Sequence, residues 1–442
     1  MGLPYRKPED SPPLITGNYG VPMTGIEVVA RTRVSGGHPV GRLVCHPRLP
    51  LIAGLDAERG LVHIWSCEAG WLRALGSVGD GRGVPDSAWH RPRHPGVAWH
   101  PHQPLLAVAG ESGVVRWTPS GPSDPAGPPF TARYRHLAFS PDGRTLWASP
   151  SSDGADAAWE RSDALDLDAR VISAGTGRPW DTGVAEHPGG GLIATLASDQ
   201  GATLGLFARV DPGDTPARMR VQDHALVLDC DGYTTPVFSR DGRHLAVRGN
   251  AYGNTLDVFT FPGLRQVLAT TLGTPTPDYP YPQEWLDEMR AWSSHNIAFG
   301  ARPGVLWIGT PTGALVELDI EAEQAAGHEL FAGTPVSALG RTPTGDLVVA
   351  SGEGELALVS VNADPAQAEA LGDDTARAAV AAFLESSSEV PDDGDLWAHV
   401  VMTDGDRSWD ADDTTTVTTA SATDPTWLRL QAAVNTARDQ DI

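Results

Sequence analysis

The chain has 442 residues, with 56 acidic side chains against 32 basic ones and a net charge of −24. An apolar fraction of 40% is too high for a disordered chain. The acidity argues against a nucleic-acid or anionic-membrane surface, because phosphate contacts need clustered Lys and Arg.

Lys7 is the only lysine, a bias that reads as GC-rich coding. Cys45, Cys67 and Cys230 form no CxxC pair, which makes neither a disulfide framework nor a zinc motif. The N-terminus lacks an apolar leader, and no run of about 18 apolar residues occurs. The expectation is a cytoplasmic chain that needs no cofactor.

In chain order, residues 1–21 read as an extension. Residues 24–34, "TGIEVVARTRV", alternate Ile26, Val28 and Ala30 with other residues, as an outer strand does. A recurring unit then starts. "LVCHPRLPLIAGLDAERGLVHIW" (43–65) and "VAWHPHQPLLAVAGESGVVRW" (97–117) share one plan. An apolar run ends at a His-Pro turn, a second run follows, and a third closes on Trp. Five more units begin at Leu137, Val184, Pro236, Ile297 and Ser337. The runs have strand composition, and turns such as "SPDG" (140–143) and "TPTG" (310–313) use Pro to preset φ and Gly to reach positive φ.

Two segments break the period. Residues 274–294 predict a short helix with Trp285, Met289 and Trp292 on one face, preceded by Tyr279 and Tyr281. This face either folds back on blade five or six or docks a partner. Residues 362–442 hold seventeen acids against four arginines. There "DDTARAAVAAFLESS" and "DPTWLRLQAAVNTARD" predict helices, "DLWAHVVMT" (395–403) a strand and 414–423 a loop. This appendage is either a strap on the same chain or a partner-binding element.

Seven units of four antiparallel strands predict an all-β fold, a seven-bladed β-propeller with a small acidic, α-containing C-terminal extension. The strand at 24–34 would complete the last blade.

Candidate chemistry is sparse. His90, His94, His100 and His102 lack metal-ligand spacing. His100-Pro101 falls in the slot of His46-Pro47 and Ser140-Pro141, so His100 reads as a turn cap. "DGDRSWDADD" (404–413) puts Trp409 where a calcium loop needs Gly and Thr415 where it needs Glu. No GxSxG elbow or phosphate loop occurs.

Gly37-His38 opens the first unit, Trp65 closes its third strand and Trp117 closes that of the next. In these residues the chain resembles the WD40-repeat family over about residues 22–361. Ser66 and Thr118 replace the Asp of the family's closing Trp-Asp, and later units end in Leu, Val or Phe. The resemblance implies a non-catalytic scaffold in a bacterial multi-protein complex, a monomer or a subunit of a hetero-complex. Its partners would be other proteins, not nucleic acid or membrane. Tyr279, Tyr281, Trp285, Met289 and Trp292 are the candidate contact residues. Alternatives are an enzyme using the axial channel, hydrolase- or lyase-like, and a regulatory or sensor subunit.

Overall fold

Each repeat unit supplies an inner strand, a turn and two further strands, and one more strand completes each sheet. The computed structural model describes residues 25–56, 58–79, 95–110, 113–126, 134–150, 162–169, 171–175, 183–199, 201–211, 213–214, 216–249, 253–361, 372–391, 396–422 and 424–440. They form seven antiparallel blades arranged as a propeller. The N-terminal extension and the pair His90 and His94 lie outside the described residues.

Blade one contains Arg42–Cys45, Leu51–Asp56, Leu61–Ser66 and Arg73–Val78. The innermost strands of the next five blades are Val97–Trp99, His136–Phe139, Val184–Glu186, Val237–Phe238 and Ile297–Phe299. Blade seven starts with Val336–Arg341 and closes with a strand from the other end of the chain. Ile26–Arg33 pairs antiparallel with Glu355–Val361, from Ile26 opposite Val361 to Arg33 opposite Glu355. Val29 is the extra residue of a bulge, so the simple alternation of Ile26, Val28 and Ala30 breaks there. Arg31 fixes the register with a 2.5 Å bond to Glu355.

The core is divided between the blades. Seven apolar clusters fill the seven spaces between neighbours. At the closure, Val40, Leu43, Ile52 and Trp65 of the first blade pack on Ala338, Val348, Leu356 and Leu358 of the last. The four indoles Trp65, Trp117, Trp147 and Trp307 are almost fully buried. Such large side chains supply much of the apolar area that holds the ring together.

The turns after the inner strands repeat one device. Ser140 Oγ accepts the Thr145 amide at 3.0 Å in blade three, and Ser239 Oγ accepts the His244 amide at 2.9 Å in blade five. Gly143 closes the first of these turns at φ +75°, in the left-handed region that glycine favours.

Among the described residues four helices decorate the ring: α1 (Gln283–Ala291), α2 (Gly372–Ser386), α3 (Ala411–Thr416) and α4 (Thr426–Gln440). Pro282 stands just before α1 and accepts the Leu286 amide through its carbonyl. The C-terminal residues pack on blades four and five. Phe383 of α2 lies 5.0 Å from Phe207 and 5.1 Å from Phe261. Val400, Met402, Trp427 and Leu428 join the cluster between blades three and four.

Val401–Thr403 pairs in parallel with Met219–Asp229, the outer strand of blade four, and so caps an edge that would otherwise stand open. The predicted strand 395–403 is thus shorter than its sequence: Leu396–Ala398 is a 3-10 turn, and only the last three residues reach the blade edge. The predicted loop at 414–423 begins as helix, because an Asp410–Asp413 capping box starts α3 just upstream.

Candidate functional site

The helix of the repeat-breaking segment is held by blades five and six. Trp285 is 7% exposed and Trp292 8%. Trp285 Nε1 donates to the Thr274 carbonyl at 3.1 Å, and Trp292 joins the cluster with Leu256, Val258 and Leu306. Gly273 makes room for this, since a Cβ there would sit 2.7 Å from Trp292 Nε1. The seat below the helix is polar. Arg248, fully buried, donates from Nε to Asn296 Oδ1 at 3.0 Å and from Nη2 to Asn254 Oδ1 at 3.2 Å. Asn254 in turn donates to the Met289 carbonyl at 3.3 Å.

Of the five aromatic and thioether side chains singled out by sequence, three are therefore occupied in seating α1. Trp285 and Trp292 are buried, and Met289 is partly covered beside Asn254. The other two lie at the surface. Tyr279 is 85% exposed and Tyr281 36%, with ring centroids 5.7 Å apart in an edge-on pair. Tyr281 also packs against Trp285 with tilted rings 5.1 Å apart, which ties the pair to the buried anchor. Trp71, at 74% exposure after blade one's third strand, is another uncovered aromatic.

The second feature is the axial channel. Residues of the inner strands and their turns enclose a cavity of about 810 Å³. It is lined by four arginines: Arg42 at the head of blade one's inner strand, Arg48 in the turn after it, Arg240 in the equivalent turn of blade five and Arg341 at the end of blade seven's inner strand. Glu186, the last residue of blade four's inner strand, is the acidic group of the lining. Its carboxyl opens on the channel yet has protein around most of it, so burial raises its pKa, offset in part by Arg48.

Burial, together with Arg42 and Arg135, pushes His136 down to about 3, so it stays neutral. The Cys45 thiol on the wall is pushed up to about 12, chiefly by burial, which keeps it protonated and a poor nucleophile. Among the described residues no three His, Cys, Asp or Glu side chains are grouped to hold a metal ion.

The sequence reading missed the channel arginines. Aligning the seven units on their turns supplies the missing signal: Arg48, Arg240 and Arg341 all fall in or beside the turn that follows an inner strand. His100 lies in that turn in blade two, where its Nδ1 accepts the amides of His102 at 3.1 Å and Gln103 at 3.0 Å.

No family model matches the chain. The chain is similar to the probable cytosolic iron-sulfur protein assembly protein Ciao1 of Culex quinquefasciatus, at 40% identity over 78 residues. These make up 16% of this chain and 23% of that protein, so the match spans less than a quarter of the relative. Among the described residues no helix is long and apolar enough to cross a membrane. With its seven blades and its ring closure the chain is a seven-bladed β-propeller, and its Trp-terminated first units resemble WD40 repeats.

Proposed function

We propose that the chain is a non-catalytic scaffold that docks other proteins within a bacterial, cytoplasmic multi-protein complex. The observation that carries this reading is the division of labour around α1. Trp285 and Trp292 are buried against the ring, while Tyr279 and Tyr281 project from the same segment into solvent. Tyrosine combines a large rigid apolar face with a hydrogen-bonding tip and is enriched at energetically dominant interface positions. A closed ring with one core per blade interface presents such a projection without a conformational cost. The relative's name, an assembly protein, is of the same kind.

The test compares affinity capture by the full chain and by a Tyr279→Ala/Tyr281→Ala variant. The expected result is loss of a specific co-purifying protein with an unchanged melting temperature. Equal recovery of every partner removes Tyr279 and Tyr281 as the docking site.

A second reading, catalysis in the axial channel, draws on Glu186, whose pKa, raised by burial, fits a proton donor. It requires a turnover that Glu186→Gln abolishes.

A further inference from the structure

The channel poses a charge problem. This chain holds 56 acids and 32 bases, so carboxylates to pair with arginine are plentiful. Elsewhere they are used: Arg220 contacts Asp211, Asp214 and Glu389 at 3.0 to 3.1 Å, and Arg302 reaches Asp319 at 3.0 Å. The four channel arginines differ. Among the described residues none of Arg42, Arg48, Arg240 and Arg341 makes an ion pair or a side-chain hydrogen bond. Three of them line the turn end of the cavity, and among the described lining residues Glu186 is the acid that opposes them. Burial and then Arg240 depress the pKa of Arg341, so these two cations act against one another. Unpaired like charges in a partly desolvated cavity are unfavourable unless something else neutralises them.

The chemistry of that missing partner is constrained. Guanidinium forks match phosphate and carboxylate groups, which accept two parallel N–H bonds. Three cations at one end favour more than one negative charge. A cavity of about 810 Å³ falls in the range of small-molecule sites. The strongly acidic exterior repels large polyanions, whereas a cationic cleft draws small ones inward.

We propose that the axial channel binds a small multivalent anion bearing phosphate or carboxylate groups, held by Arg240 and Arg341 with Arg48 at the rim. Glu186, in the same end of the cavity, accepts a hydrogen bond from a hydroxyl or other donor on the ligand and disfavours a fully ionised one. This site is separate from Tyr279 and Tyr281, and their substitution leaves it intact.

The test is calorimetric titration of the full chain, at low salt, with pyrophosphate and with citrate. At least one is expected to bind saturably at one site per chain, and which one binds tells phosphate from carboxylate. Arg240→Gln/Arg341→Gln is expected to weaken binding at least tenfold, while Arg290→Gln, on the exposed side of α1, leaves it unchanged. The anion raises the melting temperature of the parent chain and not of the double variant. If the double variant does not fold, Arg48→Gln at the exposed rim serves instead, with at least threefold weaker binding expected. No saturable binding of either anion, or binding that these variants leave unchanged, overturns the proposal. So does binding of a polyglutamate peptide where both small anions fail.

Discussion

His187 in blade four donates from Nε2 to the carbonyl oxygen of Gly242 in blade five at 3.0 Å, while its Nδ1 accepts the Gly189 amide at 3.0 Å. One ring thus caps its own turn and links two blades. His46 does the same, accepting the Arg48 and Leu49 amides at Nδ1 and reaching the Gln103 carbonyl of blade two at 2.9 Å. An acceptor Nδ1 leaves the proton on Nε2, so each ring is held as one neutral tautomer.

Replacing His187 by Ala leaves the Gly242 carbonyl without this donor and opens space between Phe238 and Phe261, whose rings lie 4.8 and 4.7 Å away. The expected loss is about 2–4 kcal/mol in urea unfolding. Gly242→Ala is expected to be as damaging, since its Cβ would sit 2.3 Å from His187 Cε1 at a φ of +67°. An effect below about 0.5 kcal/mol for both would make this inter-blade link incidental.

Acid sensitivity follows from the same rings. Burial pushes His187 down to about 4 from 6.5, and lowers His46, His100 and His244 as well. The unfolded chain therefore binds more protons than the folded one between those values. Stability is present above about pH 6.5 and declines as pH falls towards 4. Melting temperature against pH checks this, and His187→Gln is expected to flatten the slope. A slope that His187→Gln leaves unchanged would assign the acid sensitivity elsewhere.

Asp257 works in the opposite direction. Burial in blade five pushes its carboxyl up to about 7 from 3.8, with Gln266 Nε2 donating to it at 3.1 Å. Here the folded chain binds the extra proton, so this group's contribution to stability falls as pH rises from about 4 to 7. Asp257→Asn is expected to raise the melting temperature at pH 8 and to leave it unchanged near pH 4. A loss of stability at pH 8 would contradict the assignment.

Ring closure rests on Ile26–Arg33. A truncation that removes this strand breaks the ladder with Glu355–Val361 and uncovers the edge of blade seven. The whole ring is expected to unfold at lower temperature in one cooperative step, because blades one and seven share a core. A truncated chain that melts like the intact one would mean the ring does not depend on this strand.

How much of this could be read from residues alone depends on the range of the interaction. The blades announce themselves because each inner strand ends on local turn chemistry, as in His46-Pro47, His100-Pro101 and Ser140-Pro141. The stripe of Trp285, Met289 and Trp292 gives a helix, but which of its aromatics are covered depends on Gly273 and Asn254 from blade five. The channel arginines are harder still. Arg42 and Arg341 come from opposite ends of the chain and meet only when the ring closes. In the C-terminal appendage the helical faces are periodic, whereas the parallel pairing of Val401 with His224 has no local signal.

Site-specific photo-crosslinking tests the docking role most directly. A photoreactive phenylalanine analogue replaces Tyr279, and in a control chain replaces Trp71 on the first blade. The expected result is a discrete cross-linked protein at position 279 that is absent when Tyr281→Ala is added. No adduct at 279, or the same adduct from both positions, would show that the aromatic pair on the α1 segment is not where this propeller holds its partner.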